Sequence, residues 1–142
     1  PIMFKKLFSF IKLTIALKKK APKKIASVEE GLHLICNRWP MIAPILAGSP
    51  IEKFGTNKIY NIVVREGVSY QLHIRRHEAT FLSGISEVAH ATIELAEKDW
   101  SRIFRGEINL AAAVAAGHGL VQCDQQNSLF ALGLIIHTLV TI

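Results

Sequence analysis

Residues 88–124, VAHATIELAEKDWSRIFRGEINLAAAVAAGHGLVQCD, decide how the chain folds. Between Val88 and Leu95 the residues alternate. Ala89, Ala91, Ile93 and Leu95 point one way and His90, Thr92 and Glu94 the other, the period of a strand with one buried face. The period then changes. Trp100, Ile103 and Phe104 fall on one stripe of a short helix, and Gly106 stands where such a helix commonly ends. Asn109 can cap a second short helix from Leu110 to Ala116, which Gly117 stops. Leu120 and Val121 then resume a strand, so the order is strand, helix, helix, strand.

Upstream the period is two from Asn57 onward. Tyr60, Ile62 and Val64 share a face, Glu66-Gly67 makes a turn, and Val68, Tyr70, Leu72 and Ile74 oppose Ser69, Gln71, His73 and Arg75. Arg76-His77-Glu78 makes a second turn before Thr80-Phe81-Leu82. With Val88–Leu95 these segments predict an antiparallel meander of four consecutive strands. One apolar face and one polar face mean that helices cover a single side, the signature of an α+β domain.

Ser27-Val28-Glu29-Glu30 has the form of a capping box, and Val28, Leu32, Ile35 and Cys36 line one side of the helix it starts. Pro40 is expected to end that helix, with Trp39-Pro40 and Ala43-Pro44 favouring extended or turn backbone. Ile42, Ile45 and Leu46 are apolar enough for a short buried helix before Gly48-Ser49-Pro50 breaks the chain again. Trp39 reads as a core or rim aromatic. At the other end, Ser128 to Ile142 is apolar almost all round, with Leu129, Phe130, Leu132, Leu134, Ile135, Ile136, Leu139 and Val140. Such a helix needs cover on every side. The sheet supplies one side; the N-terminal helices, a lipid or a partner would supply the other.

The chain of 142 residues fits one domain, and half of it is hydrophobic, which argues against extensive disorder. Charge is uneven. Residues 1–24 contain eight lysines and no acid, so the net +6 of the whole chain leaves −2 on residues 25–142. The basicity belongs to an arm, and a nucleic-acid partner would need it on the folded body. Read as a helix, the arm places Phe4, Leu7, Phe8, Ile11 and Ile15 on one face, with Lys5 and Lys12 opposite and Lys6 nearby. That pattern suits an anionic membrane surface, and also suits packing on the domain itself, on a protein partner or in a homodimer. Lys12 interrupts the apolar run and lysines occupy the place of a cleavage site, so a signal peptide fits poorly.

Cys36 and Cys123 lie far apart, with no CxxC and no zinc spacing; free thiols in a reducing cytoplasm are the plain reading. No nucleophile elbow, zinc-protease motif or phosphate loop is present, and no cofactor is implied. The strongest candidate for chemistry is His73 and His90 on the polar sheet face with Glu94, a trio that a metal or a proton shuttle could use and that a solvated face explains equally. His118 between Gly117 and Gly119 reads as a turn residue, and His137 as a core or pocket-rim residue. The aromatic set Tyr70, Phe81, Trp100, Phe104 and Phe130, beside the alanines 111–116, leaves either close packing or room for a lipid tail.

Residues 57–142 resemble the sterol carrier protein-2 (SCP2) lipid-binding family. The resemblance rests on Ala91-Thr92-Ile93-Glu94-Leu95, Asp99-Trp100, Gly106, the small-residue helix Ala111 to Ala116, Gly117 and Cys123-Asp124, at that family's spacing. Cys123 stands where the family usually has glycine, and Gly119 where it has a strand residue. The resemblance implies a mostly antiparallel five-stranded sheet with helices on one face and an apolar tunnel in residues 25–142. It further implies a non-catalytic function, binding or transferring a sterol, fatty acyl or isoprenoid lipid, and some bacterial relatives are accessory factors in ubiquinone biosynthesis. On this resemblance Leu72, Phe81, Ile93, Trp100, Phe104, Val114, Leu132 and Ile136 are expected to line the tunnel. The arm, through Phe4, Lys5, Lys6, Leu7, Phe8, Ile11 and Lys12, would hold its mouth at a membrane as a peripheral, cytoplasmic protein.

Overall fold

The computed structural model describes residues 25–123 and 125–142. The lysine-rich arm, and with it the expected membrane contacts, lies outside the described residues. Helix α1 (Val28–Ile42) starts as the capping box requires. Ser27 Oγ accepts from the Glu30 amide at 3.2 Å, and the Glu30 carboxylate reaches back to the Ala26 amide at 2.9 Å. Pro40 does not end this helix; it sits in the last turn, and the Ala43 amide still closes on the Trp39 carbonyl at 2.8 Å. Trp39 overrides the local preference of a pre-proline residue because it is buried and its indole N–H donates to the Arg75 carbonyl at 2.9 Å. The residues after Ile42 form turns and no helix, with the Ile45 and Leu46 amides both returning to the Ile42 carbonyl. Helix α2 (Pro50–Gly55) follows, capped by Ser49.

Strands β1 (Lys58–Val64), β2 (Tyr70–Ile74) and β3 (Ala79–Ser83) form the expected antiparallel meander. The fourth strand departs from it. β4 (Ala91–Leu95) crosses back and pairs with β1 in parallel, Ile62 beside Ile93. The sheet is therefore mixed, in the order β3-β2-β1-β4-β5, with β5 (Leu120–Cys123) antiparallel to β4. Residues 84–90 make the crossover and are held by Asn61 of β1. Its amide nitrogen donates to the Ser86 carbonyl and its oxygen accepts from the Ser86 amide, both at 2.8 Å. Val88, counted above as strand, is instead 74% exposed on this crossover. Alternation reports which face a residue takes and says nothing about which neighbour its strand joins.

Tyr60, Ile62, Val64, Leu72, Ile74, Ala91, Ile93 and Leu95 put the buried face of the sheet under the helices. Helix α3 (Glu97–Phe104) buries Trp100, Ile103 and Phe104, with the Trp100 indole N–H donating to the Val63 carbonyl at 3.0 Å. A side chain at Gly31 of α1 would collide with the Phe104 ring, so α1 and α3 touch only because Gly31 has none. Gly119 plays the same part at the start of β5, where a Cβ would meet the Glu94 carbonyl and the Leu95 side chain. Helix α4 (Leu110–Ala115) is capped by Asn109 and followed by Gly117 at φ 78°. Helix α5 (Gln126–Thr141) closes the domain. Buried Arg38 of α1 donates to the Leu139 carbonyl at 2.5 Å, one of the carbonyls that the end of α5 leaves without a helical partner, and burial lowers its pKa.

Candidate functional site

Helix α5 meets the domain on one side only. Ala131, Leu132, Ile135, Ile136 and Leu139 are buried, whereas Phe130 and Leu134 are 56% and 52% exposed. This corrects the expectation that the helix is covered all round. The uncovered side borders α4, and between the two helices runs a groove of about 440 Å³. Its walls are Ala111, Val114 and Ala115 from α4, and Leu129, Phe130, Gly133 and Leu134 from α5. Asn109, Gln126 and His137 supply the polar positions. A Cβ at Gly133 would lie 3.6 Å from that of buried Leu110, so glycine and alanine together keep the groove open where the helices approach. The volume falls in the usual range for a small-molecule pocket, and the walls offer van der Waals surface and a few hydrogen-bonding positions.

The eight residues expected around a tunnel divide. Leu72, Ile93, Trp100, Phe104, Leu132 and Ile136 are each at most 1% exposed and belong to the core behind the groove. Val114 is half-buried and lines the groove. Phe81 is half-buried on β3, edge-on to His33 at 4.8 Å and to Tyr70 at 5.8 Å. Trp100 and Phe104 stack at 5.9 Å, so the aromatic set separates into pairs, and Phe130 stands apart on the groove. The groove's α5 wall was missed because an all-apolar helix has no periodicity to show which side stays open; the alanine row was its one visible sign.

The trio of His73, His90 and Glu94 does not converge. Glu94 pairs with Arg65 at 3.3 Å, His73 Nε2 lies 2.8 Å from the Gln71 amide oxygen, and His90 Nδ1 accepts from the Ile59 amide at 3.1 Å. Among the described residues no three His, Cys, Asp or Glu side chains are arranged to hold a metal ion. His118 sits in the turn before β5, its Nδ1 3.6 Å from an oxygen of buried Asp99, beyond hydrogen-bond distance and without a hydrogen-bond partner among the described residues. Both cysteines are free thiols, and burial pushes the Cys36 pKa up to about 11, which keeps it protonated and unreactive at neutral pH. Among the described residues no helix is long and apolar enough to cross a membrane.

With sheet order and groove in place, the chain has an SCP2-like fold. It is similar in structure to the UbiJ-SCP2 ubiquinone synthesis protein (16% identity, 76% of this chain and 84% of that one, TM-score 0.56). It is also similar to sterol carrier protein 2 (15% identity, 78% and 91%, TM-score 0.54) and to palmitated SCP2L2 from Aedes aegypti (17% identity, 79% and 96%, TM-score 0.51). No protein-family model and no curated protein matches the sequence.

Proposed function

We propose that the protein binds a lipid tail in the groove between α4 and α5 and carries or presents it without making or breaking a bond. The observation that supports this reading is the apolar wall of half-buried Leu129 and exposed Phe130 and Leu134 on a helix whose other side is buried. Covering such a wall contributes about 0.8 kcal/mol per buried methylene. The tail would pass Val114, with Leu72, Ile93, Trp100, Phe104, Leu132 and Ile136 forming the core behind the groove and Phe81 standing apart on β3. Palmitated SCP2L2 shows that a protein of this fold can carry a fatty acyl group. A sterol or an isoprenoid of the quinone type suits the same apolar wall, and the likeness to a ubiquinone synthesis protein supports an accessory role there. Native mass spectrometry of the purified chain, followed by organic extraction, tests the reading. A copurifying lipid is expected, and Ala111→Trp, which fills the groove from an exposed position, should fold and lose it. A wild-type chain without lipid, or a variant that keeps its load, would sink the proposal.

The second reading is an interaction module whose partner protein covers Phe130 and Leu134. The same extraction separates the two, since a docking face needs no lipid. For the arm we propose a peripheral hold on anionic membranes by Phe4, Leu7, Phe8 and Ile11 with Lys5, Lys6 and Lys12. Replacing these three lysines by glutamine should weaken sedimentation with anionic vesicles, and so should added salt. Unchanged binding would assign the arm to packing.

A further inference from the structure

On the face of the sheet away from the groove, a second cleft of about 140 Å³ opens where β1 begins and β2 ends. Strand register places His73 beside Ile59 and Ile74 beside Lys58, while the His90 amide donates to the Ile59 carbonyl from the other side. Asn57, Lys58, His73, Arg75 and His90 all border this cavity, Lys58 from the strand end and on the register position of Ile74, and among the described residues no carboxylate does. Among the described residues neither Lys58 nor Arg75 has an acid within ion-pairing distance, whereas neighbouring Arg76 does, in Glu52 at 3.6 Å. Outside the described residues the chain has a single acid, Asp124, and residues 1–24 hold none. Asn57 has φ 56°, and among the described residues it is the one non-glycine with a left-handed backbone. His90 Nδ1 accepts the Ile59 N–H, so its proton sits on Nε2, a donor.

We propose that this cleft binds one phosphate group, held by Lys58, Arg75, His73 and His90. Two cations without an ion pair and two imidazoles border one cleft that, among the described residues, no carboxylate borders, a charge balance that suits a tetrahedral oxyanion of this size. In the empty cleft burial and then Arg75 hold the His73 pKa below its usual value. A bound anion reverses the Arg75 effect and favours the imidazolium. The phosphate can be free in solution or be the headgroup of a phosphatidate bilayer, and the cleft offers the same contacts to both.

The test is an imidazole NMR titration of the full chain with inorganic phosphate at constant ionic strength, repeated with phosphatidate and with phosphatidylcholine vesicles. Saturable shifts of His73 and His90 are expected, with the His73 protonation midpoint rising and His33 and His137 unmoved. Lys58→Gln with Arg75→Gln should weaken the response by about tenfold or more. If that pair does not fold, Arg75→Gln alone, at an exposed position, makes the same comparison. Saturation by inorganic phosphate assigns a soluble phosphate; a response to phosphatidate vesicles alone assigns the headgroup. Silence toward both, equal shifts at all four histidines, or an unweakened variant overturns the site. None of these readouts depends on lipid in the α4–α5 groove.

Discussion

The two sides of α5 carry nearly the same chemistry in different surroundings. Leu132, Ile135, Ile136 and Leu139 face the core, while Phe130 and Leu134 face the groove. In a soluble domain a helix this apolar would ordinarily be wrapped by its own chain, and here the wrapping stops halfway. The lesson is that side-chain type does not separate stability from binding; the depth of cover does. The groove side stays exposed because α4 opposes it with alanines, too small to fill the space.

The sharpest break of this comparison is a pair of leucine truncations. Leu132→Ala should cost about 2–5 kcal/mol in urea unfolding, the range for a buried leucine leaving a cavity. Leu134→Ala should stay within about 0.5 kcal/mol and reduce the copurifying lipid instead. Equal costs would mean that the two sides are equally packed and that the groove is closed in solution.

A gentler contrast uses glycine. Gly55 of α2 abuts the buried side, where an added Cβ would stand 2.9 Å from Ile135 Cδ1 and 3.0 Å from Ala131 Cβ. Gly55→Ala should therefore destabilise by about 1–3 kcal/mol through overpacking. Gly133 lies on the open side with 3.6 Å to its nearest neighbour, and Gly133→Ala should stabilise by about 0.5–1 kcal/mol through helix propensity. Thermal unfolding of the two variants reads both signs, and a shift in the same direction would contradict the asymmetry.

The polar sheet face was partly legible. His73 and His90 were singled out from alternation and do share a cleft, but their company was misjudged. Glu94 follows on the same face and turns to Arg65, while Lys58 and Arg75 arrive from the ends of other strands. Face membership is local and follows from a period of two; the third member of a cluster depends on register and on which strand lies next.

What the chain determined by itself rests on neighbours within a few residues. Caps at Ser27 and Asn109, the breaks at Gly106 and Gly117 and the inward faces of β1, β2 and β4 all follow from backbone preference and periodicity. Only the tertiary structure decided the rest. It joined β4 to the free edge of β1 in parallel, kept α1 helical through Pro40 by anchoring Trp39, and required a bare backbone at Gly31 and Gly119. It also left one side of α5 uncovered. Each of these depends on residues far apart in sequence competing for the same space, and the outcome is set by volume and hydrogen-bond satisfaction across the whole core, which no local pattern encodes.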